Sequence, residues 1–184
     1  MLKITIPAPI DENWDEKKEE FIYIENGKEQ TLCLEHSLVS LSKWESKWCK
    51  PFLSSEKTNE EFLDYIKCMT LNHNVSDDVY DRLTIENIEE IQKYVKAPMT
   101  ATTFSKEGRN HPSREIVTSE LIYYWMISMN IPVEFEKWHI NRLITLIRVC
   151  SIKNTPPKKH SKREIMNRNA ALNAARKRQL NTTG

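Results

Sequence analysis

His139 is the first candidate for chemistry. It lies in "EFEKWHINR", three residues after Glu136. On one helix that spacing lets a carboxylate orient an imidazole for general-base work. No partner for such a base stands out in the sequence, so the plainer reading is a histidine finishing the polar edge of a core. His36 follows Glu35, and His73 stands in "LNHNVSDD" just before Asp77 and Asp78. A dedicated metal site needs a closed donor set. Asn74, Ser76 and Asp77 fit the start of a helix better. The hydroxyls of "APMTATTFS" lack the glycine-flanked elbow that exposes a nucleophile. Glu60-Glu61 and Glu89-Glu90 read as solvated helix faces, and Trp44 with Trp48 as core rather than a ligand platform. No catalytic residue, metal or cofactor is therefore assigned, and the chain is expected not to be an enzyme.

Cys33, Cys49, Cys68 and Cys150 form no C-x-x-C pair, which leaves buried thiols of a reducing compartment as the expectation. Gly27, Gly108 and Gly184 are the only glycines. A phosphate-cradling loop needs clustered glycines so that backbone N–H groups can approach the ligand, and the sequence contains no such loop. The longest apolar run, Leu121 to Ile127, has seven residues. A membrane helix needs about 20, so no membrane association is expected. The first residues, "MLKITIPAPIDENWDEKKEE", do not have the pattern of a signal peptide.

Charge is the strongest signal. Of 27 Lys and Arg, eight fall in residues 158–184 beside one of the 26 acidic residues. A chain of net charge +1 thus divides into a body near −6 and a tail near +7. Lys158, Lys159, Lys162, Arg163, Arg168, Arg176, Lys177 and Arg178 are the candidate binding residues. They could neutralise phosphates, but no aromatic residue lies beyond Trp138 to stack on bases. Nucleic acid is accordingly the weakest of three readings. An amphipathic helix docking on an acidic partner or on the chain's own acidic body ranks first, and a solvated extension that keeps the chain soluble second.

These residues need elements to hold them. "KITIPAPI" reads as a short strand or extended arm. Asn26-Gly27 suits a hairpin turn between strands 21–25 and 29–34. Periodicity near 3.6 then takes over. Leu38, Leu41, Trp44, Trp48 and Phe52 form one stripe, and Phe62, Tyr65, Ile66 and Met69 the next. A short helix opens at Ser76. Another, capped by Thr84, carries Ile85, Ile88, Ile91 and Val95. A helix of about 16 residues from Ser113 is apolar on most sides and is expected to be central and buried. One more runs through "VEFEKWHINRLITLIRVC" after Pro132, burying Phe135, Trp138, Leu143, Ile144 and Ile147. Ser161 and Glu164 fit a capping box for a final helix over about 162–179, with Ile165, Leu172 and several alanines facing one way and basic residues elsewhere.

The expected class is α+β, mainly α-helical. The body spans 1–152, with a β-hairpin at 21–34 and about five helices in 37–152. A linker at 153–160 leads to the basic C-terminal helix of 161–184.

"LEHSLVSLSKWESKWCKPFL", "APMTATTFS", "IYYWMI", "WHINRLITLIRVCSIKN" and "SKREIMNRNAALNAARKRQLNTTG", covering about 31–184, together resemble the tail assembly chaperones of long-tailed bacteriophages. The resemblance implies a non-enzymatic protein of the host cytoplasm. It would keep the helical tape measure protein soluble, help the tail tube protein polymerise around it, and be absent from the mature virion. It also leaves room for self-association and for a longer frameshifted form. No partner-contact position carries over residue by residue. A capsid or neck component of the virion is the alternative.

Overall fold

The computed structural model describes residues 1–25, 27–104, 115–155 and 161–181. Its class is α+β and mainly helical, as the sequence predicts. Two compact units, Met1–Ser151 and Ile152–Gly184, divide the chain.

Four strands open the first unit: β1 (Leu2–Ile6), β2 (Ile10–Asp15), β3 (Glu20–Glu25) and β4 (Gln30–Leu34). Strands 21–25 and 29–34 were expected to pair with each other, and they do not. β4 pairs antiparallel with β1, from Leu2↔Leu34 to Ile6↔Gln30, and β3 pairs with β2, from Ile10↔Glu25 to Asp15↔Glu20. The two ladders are nested, and the tight turn lies at 16–19. There the Asp15 carboxylate accepts from the Lys17 N–H at 2.9 Å, and Glu19 takes a left-handed φ of 52°. Short polar side chains at turn starts make this kind of bond. Asn26 lies outside the described residues. Gly27 sits at the joint between the ladders with φ 133°, where an added Cβ would meet the Pro9 ring at 3.3 Å. Its freedom serves the joint rather than the hairpin turn.

The first ladder builds the core. Ile4, Ile6, Leu32 and Leu34 point inward and are almost fully buried. They join α1 (Leu38–Trp48) and α2 (Asn59–Met69), whose Leu38, Leu41, Trp44, Tyr65, Ile66 and Met69 are buried too. The indole N–H of Trp44 is satisfied by the Glu61 carbonyl at 2.8 Å, which removes the cost of burying a polar atom. α1 packs on α2, on α5 (Ser119–Ser128) and on a 3-10 helix (Val133–Lys137), and so holds the central place.

That place was expected of the "IVTSELIYYWMISM" helix. Instead α5 begins only at its Thr118 cap, and its full ten residues bury Ser119, Ile122 and Met126. Tyr124 and Ile127 stay exposed at 63% and 71%. Ser113 itself lies outside the described residues. An all-round apolar composition does not fix which side is covered. α3 (Asp77–Asp81) and α4 (Ile85–Lys96) follow the expected pattern, except that Ile85 is exposed.

The long helix expected after Pro132 is broken. The 3-10 turn ends at Trp138, which is extended at φ −72°, ψ 158°, and α6 (Ile140–Asn154) begins two residues later. Stacking of Phe135 on Trp138, with ring centroids 4.0 Å apart, fills the corner. Of the residues expected in that core, Leu143 and Ile147 are buried, whereas Phe135, Trp138 and Ile144 are half-buried.

Candidate functional site

The basic segment forms α7 (Lys162–Leu180). Its start is the expected capping box: the Ser161 hydroxyl accepts from the Glu164 N–H at 3.2 Å, and the Glu164 carboxylate from the Ser161 N–H at 2.9 Å. Two otherwise orphaned donors are thereby satisfied. Asn181 closes the other end in the left-handed conformation, its N–H on the Lys177 carbonyl. Lys177 and Arg178 occupy the last turn, where cations complement the helix dipole. Lys162, Arg163, Arg168, Arg176, Lys177 and Arg178 are all exposed on this helix. Lys158 and Lys159 lie outside the described residues.

One expectation about α7 fails in detail. Ile165 and Leu172 do share a side, but at about 100° per residue Arg176 falls on that side as well. Met166 lies about 100° away from Ile165, and no residue of α7 is buried. The cations surround the helix rather than flanking an apolar stripe.

The histidines assemble into a structural network. His36 and His139 lie edge to face with ring centroids 4.9 Å apart, held by a bridge between Ser37 and His139 and by the Ile140 N–H on the His36 carbonyl at 2.7 Å. His36 Nδ1 contacts the Tyr65 hydroxyl, which is also 3.2 Å from Ser40 Oγ. His139 Nε2 reaches the Tyr94 carbonyl at 3.1 Å, and the Tyr94 hydroxyl donates to Glu35 at 2.7 Å. The other Glu35 oxygen is 2.7 Å from the Met1 ammonium.

Burial first, and the neighbouring His139 second, depress His36 to about 3. Burial likewise lowers His139 and raises Tyr65 well above the usual phenol range. Glu136, offered above as a partner for His139, instead accepts from the Tyr123 hydroxyl at 2.8 Å. The break at Trp138 removes the single-helix spacing on which that pairing rested. Every buried side-chain polar atom among the described residues has a partner. Closed networks of this kind rigidify a core.

The acidic groups are similarly absorbed, whereas the thiols expected to be buried are not: Cys49 is exposed, and Cys33, Cys68 and Cys150 are half-buried. Glu61 is buried, not solvated as the sequence reading has it. It caps α2 from Thr58 and pairs with Lys50, which together hold its carboxyl below the ordinary range. Buried Glu45 accepts the N–H groups of Phe52 and Ser119, both at 2.7 Å, tying α1 to α5. Asp77 pairs with Lys67, and Asp78 with Ser76 and Arg82. Among the described residues, no three His, Cys, Asp or Glu side chains converge as a metal set. A cleft of about 300 Å³ is lined by Met1, Glu35, Ser40, Lys43, Cys68 and Lys137. Burial raises the Cys68 thiol, away from the thiolate a nucleophile requires. Its carboxylate, Glu35, is already engaged.

The β2–β3 ribbon is a surface that the sequence reading misses. Ile10, Trp14, Phe21, Ile22, Tyr23 and Ile24 are between 36% and 64% exposed. The signal was present in "FIYI": four consecutive apolar residues in a strand must appear on both of its faces.

Comparison of the chain with protein-family models, with curated proteins and with solved structures returned no match. What the geometry defines by itself is a packed α+β body without an assembled catalytic set among the described residues, together with a capped, fully exposed basic helix.

Proposed function

We propose that the protein is a non-enzymatic assembly chaperone of the long-tailed phage type. It binds the tape measure protein and supports tail tube polymerisation in the host cytoplasm. The observation that carries the reading is α7: a helix closed at both ends by its own caps, carrying six exposed cations, on a chain whose remaining residues are net acidic. Opposite charge on two surfaces of one chaperone steers encounter and register with a partner more than it adds affinity. The resemblance of residues 31–184 to the tail assembly chaperones supplies the identity of the partner.

Co-expression tests it. The tape measure protein stays in the soluble fraction with this chain and precipitates without it; equal solubility in both cases ends the proposal. Mass spectrometry of purified particles separates a transient chaperone from a capsid or neck component, which would be present at fixed stoichiometry.

A second reading has its own observation. Cations on all sides of α7 suit a polyanion groove as well as a protein surface. Nucleic acid would then bind with a steep salt dependence that vanishes when residues 158–184 are deleted.

A further inference from the structure

We propose that the β2–β3 ribbon is a docking arm for a basic amphipathic helix of another protein. Directly opposed residues share a face, so Ile10, Trp14, Phe21 and Tyr23 lie on one face of the ribbon. They are 58%, 52%, 55% and 64% exposed. Trp14 and Phe21 meet edge to face with centroids 4.9 Å apart, which fixes an aromatic centre at the turn end. An isolated two-stranded ribbon is marginal in water, and an apolar face of this kind marks an interaction surface.

Charge selects the occupant. Residues 10–25 carry seven carboxylates against Lys17 and Lys18. A second copy laid on the same face would bring net charges of −5 and −5 together, which opposes self-pairing. A partner bearing Lys and Arg reverses that sign and gains contacts between its cations and the Trp14 ring. Length selects the shape: a six-residue strand spans about 20 Å, the length of about 13 helical residues. Such a helix would present anchors at i, i+3 or i+4, and i+7. The inference does not rest on the assembly-chaperone reading, since a helical partner of any role satisfies it.

The test uses the full chain and a fluorescent peptide of about 14 residues in a Lys/Leu amphipathic pattern, followed by anisotropy. Saturable binding is expected, weakened several-fold between about 0.15 M and about 0.5 M salt. Trp14→Ala with Phe21→Ala should weaken it about tenfold. Glu12→Lys, directly opposite Tyr23 on that face, should weaken it and let a Glu/Leu peptide of the same pattern bind; this exposed side chain does not enter the core, so folding is preserved. Unaltered binding in both variants overturns the proposal, as does equal binding of the Glu/Leu peptide to the unaltered chain. Sedimentation showing self-association that Trp14→Ala with Phe21→Ala abolishes also overturns it, because the occupant is then a second copy.

Discussion

β1–β4 and β2–β3 lie in succession along the same pair of chain segments, yet they meet water differently. In β1 and β4 the sequence alternates, "LKITI" against "QTLCL", so Ile4, Ile6, Leu32 and Leu34 share a buried face. The edges of that ladder are also covered. Asn72 bonds the Cys33 N–H at 2.7 Å and the Thr31 carbonyl at 3.2 Å, while Arg82 and Asn87 donate to the Pro7 and Thr5 carbonyls of the other strand's segment. In β3 the alternation is lost, and β2 pairs its apolar run with Asp11, Glu12 and Asn13. A strand's role is thus set by its pattern together with what covers its edges. A ribbon in which every apolar residue stays exposed stabilises the fold little and is available for binding.

The largest effect should therefore fall on the buried ladder. Leu32→Ala leaves a cavity in the core and should cost about 2–5 kcal/mol in urea unfolding. Trp14→Ala with Phe21→Ala, on the exposed ladder, should cost less than about 1 kcal/mol, since only one partly exposed ring contact is lost. Equal costs would mean that the ribbon belongs to the cooperative core and would break the comparison.

Acid should act on the packed side as well. The His36 value of about 3 in the folded chain lies below the ordinary 6.5. The unfolded chain thus takes up the proton first. Stability is unaffected above about pH 6.5 and falls as pH drops from there toward 3, by about 1.4 kcal/mol per unit from this group. Lowered His139 adds in the same direction. Urea midpoints at pH 7, 5.5 and 4.5 measure the slope. His36→Asn should be less stable at pH 7 but show a shallower fall. An unchanged slope would assign the acid response to other groups. The ribbon contains no histidine to add to this fall.

Much of the helical part is legible because its determinants are local. Thr84 caps α4 with a true capping box, Ser161 and Glu164 do the same for α7, and Leu38, Leu41 and Trp44 of the α1 stripe land in the core, while Trp48 is half-buried and Phe52 is buried beyond the helix end. What is not legible depends on contacts distant in sequence. Asn26-Gly27 has the dipeptide of a hairpin turn, but long-range pairing of β4 with β1 makes Gly27 part of a joint and moves the turn to 16–19. "LIYYWMI" has the composition of a buried helix, yet α1 covers only one side of it. The network of His36, Tyr65 and His139 joins residues 29 and more positions apart. The ribbon was readable as strand; that it stays exposed was not, because exposure depends on which elements fail to reach it.

Gly27 holds the joint between the two ladders. Its φ of 133° and the 3.3 Å approach of a Cβ to Pro9 oppose any side chain. Gly27→Ala should cost about 1–2 kcal/mol. If the two ladders are separable, that cost is local. Hydrogen exchange of β2 and β3 amides should accelerate while β1 and β4 amides keep their protection. Acceleration in all four strands alike would show one cooperative ribbon.

The smallest effect is expected at Ser161, and it extends the comparison from strands to helix caps. Thr58 and Ser161 build the same capping box, one on buried α2 and one on exposed α7. An isolated helix of about 19 residues is marginal in water, because nucleation is costly and no packing supports it. Thr58→Ala should cost about 1 kcal/mol of global stability, because α2 unfolds only with the body. Ser161→Ala removes the same bond but should reduce only the helical signal of α7 in circular dichroism, leaving the urea midpoint of the body unmoved. A shifted midpoint would mean that α7 contributes to the stability of the body. It would then be structure for the fold before it is a surface for a partner.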